Sequence, residues 1–422
     1  MTQKIINRWL VVAGAVLVQF CLGAIYAWSV FTPKLLEAGW SRADAMAPFF
    51  TGLVFFAVVM VLAGRLMPKI GPRKLTIFGG LVLGAGYALA GLLQTVNFWP
   101  IVLLIGVVGG SGIGLAYVVP IAVGTQWFPD KKGLIMGLAV AGFGFGAMLW
   151  VKLAGAWGGL LADFGLSTTF LLYGIVFAVA VVAGGLFMVF PPEGWTPEGW
   201  EPPAPEDGVA VMGEVNYTSR QMLRTPQFYM IFATFVCGAG AGLMSIGLMK
   251  ILPIETLTAR GIDPAEASAI AGTAMAVFFS LANGLGRIVW GALSDQWGRK
   301  LSIFLMMATQ GVIVMLFPLM AGTPGWLYLG ATLIGFNFGG NFALFPSITA
   351  DTFGNKHVGQ NYPWVFLAYG VGGIGGPLMG GVLGDMGNFS LAFTLCGAAV
   401  LFAALLIMRV KPVQRKEDLM PA

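Results

Sequence analysis

The stretch "FFSLANGLGRIVWGALSDQWGRK", residues 278–300, places a guanidinium, Arg287, inside an apolar run and eight residues before a charged end at Asp295. At about 1.5 Å per residue that separation is about 12 Å, close to half the depth of a hydrocarbon core about 30 Å thick. Whether this run crosses a membrane therefore decides the fold. The composition says that it does: of 422 residues 58% are apolar and 10% charged, far outside the range of soluble domains.

Twelve apolar runs are long enough to cross a bilayer, near 9–33, 46–67, 75–95, 100–127, 134–160, 168–190, 226–252, 267–294, 301–321, 326–350, 362–386 and 390–410. The net charge of +5 does not point to nucleic acid, because the cations sort by side. With a cytoplasmic N-terminus, Lys4, Arg8, Arg65, Lys69, Arg73, Lys74, Lys131, Lys132, Arg220, Arg224, Arg299, Lys300, Lys356 and the tail cations Arg409, Lys411, Arg415 and Lys416 fall inside. Lys34, Arg42 and Arg260 fall outside. This positive-inside bias predicts a multi-pass protein of a plasma membrane, the bacterial inner membrane, with both termini cytoplasmic.

Cys21, Cys237 and Cys396 lie far apart in apolar runs, which excludes a disulfide framework and a CxxC motif. The apolar run after the basic start is too long for a signal peptide, so it reads as a retained first helix. No metal-ligand cluster or catalytic constellation is visible, and the glycine-rich stretches "GGSGIGLAY" and "GGIGGPLMGG" read as close helix crossings. A phosphate-cradling loop would need a preceding strand, so neither a nucleotide nor another cofactor is expected. His357 reads as a solvated loop residue.

Between runs six and seven the chain turns to Pro, Glu and Gly, which predicts a linker at 191–225 joining an N-terminal six-helix bundle, 1–190, to a C-terminal one, 226–422, with a short cytoplasmic tail. The halves repeat. "GRLMPKIG" from Gly64 matches "GALSDQWG" from Gly291, an offset of 227, and Pro120–Gly133 matches Pro346–Gly359, an offset of 226. Repeats of this kind predict an all-α membrane protein of twelve transmembrane helices in two pseudo-symmetric bundles, with the site near the midplane where they meet.

The "GxxxDxxGRK" loop at Gly291–Lys300 resembles the signature of the major facilitator superfamily. Within it, "GAIYAWSVF" (23–31), "QWFPDKKG" (126–133), "LRTPQFY" (223–229), "NGLGR" (283–287) and "FGGNFALFPS" (338–347) resemble the oxalate/formate antiporter family, related to monocarboxylate transporters. That resemblance implies secondary transport, and gating loops at Asp295, Arg299 and Arg73. Pro68 stands where the motif carries Asp in the first half, so a charge latch is expected at Asp295 instead.

Every Asp and Glu lies in a loop or at a run end, so the sequence offers Arg287 no carboxylate at its depth. The reading is that a substrate carboxylate meets it, since guanidinium favours two-pronged binding. Backbone or amide oxygens are the bland alternative, and Asn283, one turn earlier on the same face, can supply one. In the resembling monocarboxylate transporters that position is often an Asp implicated in proton coupling; here it is an amide.

The resemblance adds Tyr26, Tyr117, Asn337, Phe338, Asn341 and Phe342 as site-lining positions, with Tyr369 where the family's oxalate exchanger carries a second cation. One fixed cation suits a monoanion. The predicted function is alternating-access transport of a small monocarboxylate, lactate-like or pyruvate-like, coupled to a proton, by a chain that works as a monomer in the lipid bilayer. Proton-independent carboxylate exchange is the alternative, and a non-transporting membrane sensor is the alternative from another class. Lys250 and Lys152, about 36 and 27 Å from the cytoplasmic helix starts, read as snorkelling side chains, with Lys250 also a coupling or outer-vestibule candidate.

Overall fold

The structure, a computed structural model, describes residues 6–94, 96–155, 158–192, 194–200, 216–411 and 413. Lys4, Arg415, Lys416 and much of the linker read at 191–225 lie outside them. Among the described residues the regular elements are helices, as hydrocarbon requires: with no water to pair with, each backbone N–H and C=O must be satisfied within its own segment.

Eleven helices are long and apolar enough to cross a membrane: α1 Arg8–Trp28, α2 Asp44–Ile70, α3 Pro72–Leu92, α4 Phe98–Trp127, α5 Lys132–Ala154, α6 Gly165–Gly185, α7 Pro226–Leu248, α8 Pro264–Trp297, α9 Arg299–Met320, α11 Val358–Gly384 and α12 Phe389–Met408. Between α9 and α11 runs α10, Pro324–Phe353, of 30 residues. It is long enough to cross but diluted by Asn337, Asn341, Ser347 and Thr349.

Two expected spans are interrupted. The first is α-helical to Leu22 and then tightens into a 3₁₀ winding over Gly23–Val30. There the Trp28 indole donates to the Ala45 carbonyl at 2.7 Å, and Gly23 lies against the Phe143 backbone, where a Cβ would collide. The seventh ends at Leu248 and resumes as Ile251–Ala259, leaving Lys250 exposed at the break. Pro253 explains this: it has no N–H for the carbonyl four residues back, and its ring crowds that carbonyl.

The chain divides into two compact units, Met1–Asp130 with Leu138–Gly199, and Lys131–Gly137 with Trp200–Ala422. The first is cored by aromatic side chains. Trp28 stacks on Phe170 at 6.2 Å, and Trp150, Tyr173 and Phe177 meet edge-on or tilted within 5.5 Å of one another. The beginning of the expected linker packs on the same unit elsewhere, where Trp195 lies 4.8 Å from Trp127, whose indole donates to the Val189 carbonyl.

In the second unit α8 and α10 cross closely because two glycines remove the obstacle. A Cβ at Gly286 would strike the Phe336 carbonyl, and one at Gly339 the Asn283 carbonyl. The end of the linker docks here: Tyr217 N–H donates to the Phe353 carbonyl at 2.8 Å, and Asn361 donates to the Tyr217 carbonyl at 2.8 Å. Thr218 and Gln221 form a capping box on a short helix, Ser219–Met222.

Candidate functional site

The close crossing of α8 and α10 brings Arg287 to Phe342. The guanidinium carbon lies 4.3 Å from the ring centroid, the face-on geometry in which a cation is attracted to the ring quadrupole. One turn back on α8, the Asn283 amide oxygen accepts from Arg287 Nε at 3.2 Å. Arg287 is 0% exposed and Asn283 is buried beside it. The guanidinium is thus aimed by an amide on its own helix and an aromatic face from α10.

Phe342 is the hub of that wall. Phe338 meets it edge-on at 5.4 Å, and Tyr369 from α11 does so at 5.5 Å. Tyr369 in turn stacks on Phe366 at 5.2 Å. Arg287, Asn283, Phe338, Phe342 and Tyr369 therefore form one cluster within the second unit.

The two α10 amides face other neighbours. Asn337 accepts from the Trp290 indole at 3.1 Å and donates to the Thr309 hydroxyl at 3.0 Å, which links α8, α10 and α9. Asn341 donates to the Phe338 carbonyl at 3.0 Å, and its oxygen lies beside Gly238 of α7.

In the first unit, Tyr26 and Tyr117 share one ring neighbour. Phe143 lies 5.1 Å from Tyr26 and 5.5 Å from Tyr117, and Phe56 packs 4.9 Å from Tyr117. The Gln19 amide donates to the Tyr117 carbonyl at 3.0 Å, fixing α1 against α4.

The loop candidates separate. Asp295 binds Arg299 at 2.7 Å, and its two oxygens accept the Gly133 and Leu134 backbone N–H groups at 2.8 and 2.9 Å. Arg299 also reaches Asp351 at 2.8 Å and donates to the Ser294 hydroxyl, while Lys132 binds Asp351 at 2.9 Å. Arg73 is exposed on the first turn of α3. Sequence reasoning missed the roles of Asp351 and Lys132; the signal available was the repeat that contains both, Pro346–Gly359 against Pro120–Gly133.

The Major Facilitator Superfamily profile matches residues 9–277 and 234–420, and the chain belongs to that superfamily of transporters. It is 29% identical over 373 residues to the uncharacterized MFS-type transporter YhjX of Escherichia coli (strain K12), covering 87% of this chain and 86% of that one. It is 26% identical to the oxalate:formate antiporter of Oxalobacter formigenes, covering 98% and 95%, and 25% identical to apicoplast pyruvate carrier 1 of Toxoplasma gondii, covering 85% and 81%. The fold matches the proton:xylose symporter XylE at a TM-score of 0.66 and 14% identity, covering 96% of each chain. FucP in its outward conformation matches at 0.64 and 16% identity, covering 94% of this chain and 98% of that one.

Proposed function

We propose that this protein is a secondary transporter of a small monocarboxylate, lactate-like or pyruvate-like, working by alternating access, with Arg287 receiving the carboxylate. The observation that carries the reading is the fully buried guanidinium on a membrane-crossing helix, aimed by Asn283 and stacked on Phe342. A cation near the bilayer centre is unfavourable by at least about 2.5–3.5 kcal/mol, so such groups are found where they serve a pathway. Its planar donors match a carboxylate two at a time, as an ammonium cannot.

Phe338 and Phe342 supply an apolar wall for a short carbon chain, and the Tyr369 hydroxyl a donor for a hydroxyl or keto group. A dianion would leave one carboxylate without a fixed cation at a desolvation cost of several kcal/mol, which favours a monoanion. The oxalate:formate antiporter and the pyruvate carrier among the relatives support a small carboxylate. We place the protein in a bacterial inner membrane, both termini cytoplasmic, active as a monomer.

Proton coupling is the first reading of the energetics. Exchange of carboxylates without a proton is the second, and one observation favours it: Asn283, bonded to Arg287, is an amide and does not titrate. Uptake of labelled lactate, pyruvate, formate and oxalate into proteoliposomes, with and without a pH gradient, separates substrate and coupling together. Arg287→Gln is expected to abolish saturable uptake, and Arg287→Lys to raise KM by at least tenfold. Undiminished affinity in Arg287→Gln overturns the assignment.

A further inference from the structure

The crossing that brings Arg287 to Phe342 is lined by glycine, and glycine fixes a distance better than a register. Gly286, Gly335 and Gly339 each lie against a backbone carbonyl of the facing helix, those of Phe336, Phe279 and Asn283 in turn. Backbones that meet without side chains between them have no ridges set into grooves to stop one helix sliding or turning on the other. Holding a guanidinium over one ring therefore calls for a directional contact as well.

Trp290, one turn beyond Arg287 on α8, supplies it. Its indole is 7% exposed and lies on Gly340 of α10, where a Cβ would stand 2.6 Å from Cδ1, so the missing side chain makes a seat for the ring. The indole N–H donates to the Asn337 side-chain oxygen at 3.1 Å, and the Asn337 amide donates to the Thr309 hydroxyl at 3.0 Å. That hydroxyl donates in turn to the α9 backbone, at the Leu305 carbonyl 2.8 Å away. The donors run in one direction and end on backbone, so each bond polarises the next and the Asn337 amide has a single orientation. Within a bilayer the indole N–H has no water to turn to when its bond is broken.

We propose that Trp290 is a positioning residue for the carboxylate site: through Asn337 and Thr309 it fixes the register of α8 on α10 and α9, and so keeps Arg287 over Phe342. The proposal rests on the reading of Arg287 as the group that receives the carboxylate. Trp290 acts through α10 rather than on the substrate, so its loss should weaken every carboxylate by one common factor. Hydrogen bonds between membrane helices correspond to about threefold in an equilibrium constant, and at most about twentyfold.

The test is proteoliposome uptake by W290F, which keeps a ring on Gly340 and removes the N–H. For each of lactate, pyruvate, formate and oxalate that the wild type takes up, KM is expected to rise about threefold, with the ratios between substrates unchanged. A merely structural role would lower the amount of active carrier, and with it Vmax, at constant KM. In a double-mutant cycle W290F/F342A should show the same KM as F342A alone, because register has no effect once the ring it aligns is gone. N337L removes the acceptor and should reproduce the W290F pattern, which keeps the test open if W290F fails to fold. R287Q, assayed alongside, separates the two readings: saturable uptake retained in R287Q removes the site itself. With uptake lost in R287Q, unchanged KM in W290F and N337L, an altered preference among substrates, or full additivity with F342A would each overturn the positioning role alone.

Discussion

Two tight connections of related sequence, Gly64–Lys74 and Gly291–Lys300, share a backbone and differ in electrostatics. Each turns on a glycine, Gly71 at φ +83° and Gly298 at φ +84°, in a region that residues with a Cβ seldom enter. Each is followed by an arginine and a lysine in the first turn of the next helix. In the second unit Arg299 is held by Asp295 and Asp351. The repeat places Pro68 opposite Asp295 and Thr125 opposite Asp351, while Pro72 falls opposite Arg299 and Arg73 opposite Lys300, so the first unit lacks both acids and its arginine stands one position later. Thr125 instead bonds its own helix, at the Ile121 and Ala122 carbonyls. The backbone of this turn survives without its carboxylates; they do something else, which is to organise the charges around them.

The sharpest way to break the comparison is to give the second unit the residues of the first at its most enclosed carboxylate. Asp351 accepts from both Arg299 and Lys132, whose side chains are 10% and 13% exposed. Removing one member of such an enclosed cluster leaves cations desolvated without compensation. Asp351→Thr is therefore expected to destabilise the protein by about 3–5 kcal/mol, measured as a lowered unfolding temperature in detergent. A loss below about 1 kcal/mol would mean that the cluster is solvated like a surface pair.

Asp295→Asn is the next largest. The amide keeps one acceptor but surrenders the charge that meets the Gly133 and Leu134 N–H groups and Arg299. Charge-assisted hydrogen bonds contribute about 1.5–3 kcal/mol, and part of that is retained, so a loss of about 1–2 kcal/mol is expected. Amide exchange at Gly133 and Leu134 reads it directly and should accelerate.

The reverse transplant, Pro68→Asp, sharpens the comparison from the other side. Arg73 is exposed, so a new pair there is worth no more than about 1 kcal/mol, and the unfolding temperature should move little. A rise in unfolding temperature of more than a few degrees in detergent would show that the first turn can use a carboxylate as the second does.

What the sequence revealed and what it hid follow from range. The number of spans was legible because hydrocarbon thickness imposes a length on each, and the Asn283–Arg287 bond because an i,i+4 pair meets on any helix. The Asp295–Arg299 pair is the same case. The Phe342 face under Arg287 depends on a crossing set by Gly286 and Gly339 on two helices, and Lys132–Asp351 closes across 219 positions of chain; no local period encodes either. The bonds of Asn337 to Trp290 and Thr309 join three helices in the same way, and the resemblance that offered Asn337 as a site-lining position carries no sign of them. The break at Lys250 was hidden by an apolar run that continues through Pro253.

The smallest effect tests a second pair of repeated connections, 128–134 and 354–361, where the repeat sets His357 opposite Lys131. Burial, and then the Lys356 ammonium beside it, holds the His357 imidazole below the usual histidine range. Between that lowered value and the unfolded value near pH ~6.5, the unfolded chain binds more protons than the folded one. Stability contributed by the neutral imidazole is present above this window and is lost as pH falls through it. Acidification should therefore loosen 354–361 more than 128–134, where Arg8 and Asp130 pair at 3.0 Å. Hydrogen exchange at pH 7 and pH 5, corrected for the intrinsic rate, measures the difference, and His357→Gln should erase it. If the two connections respond alike in the wild type, acid acts elsewhere and the contrast between the halves ends at their carboxylates.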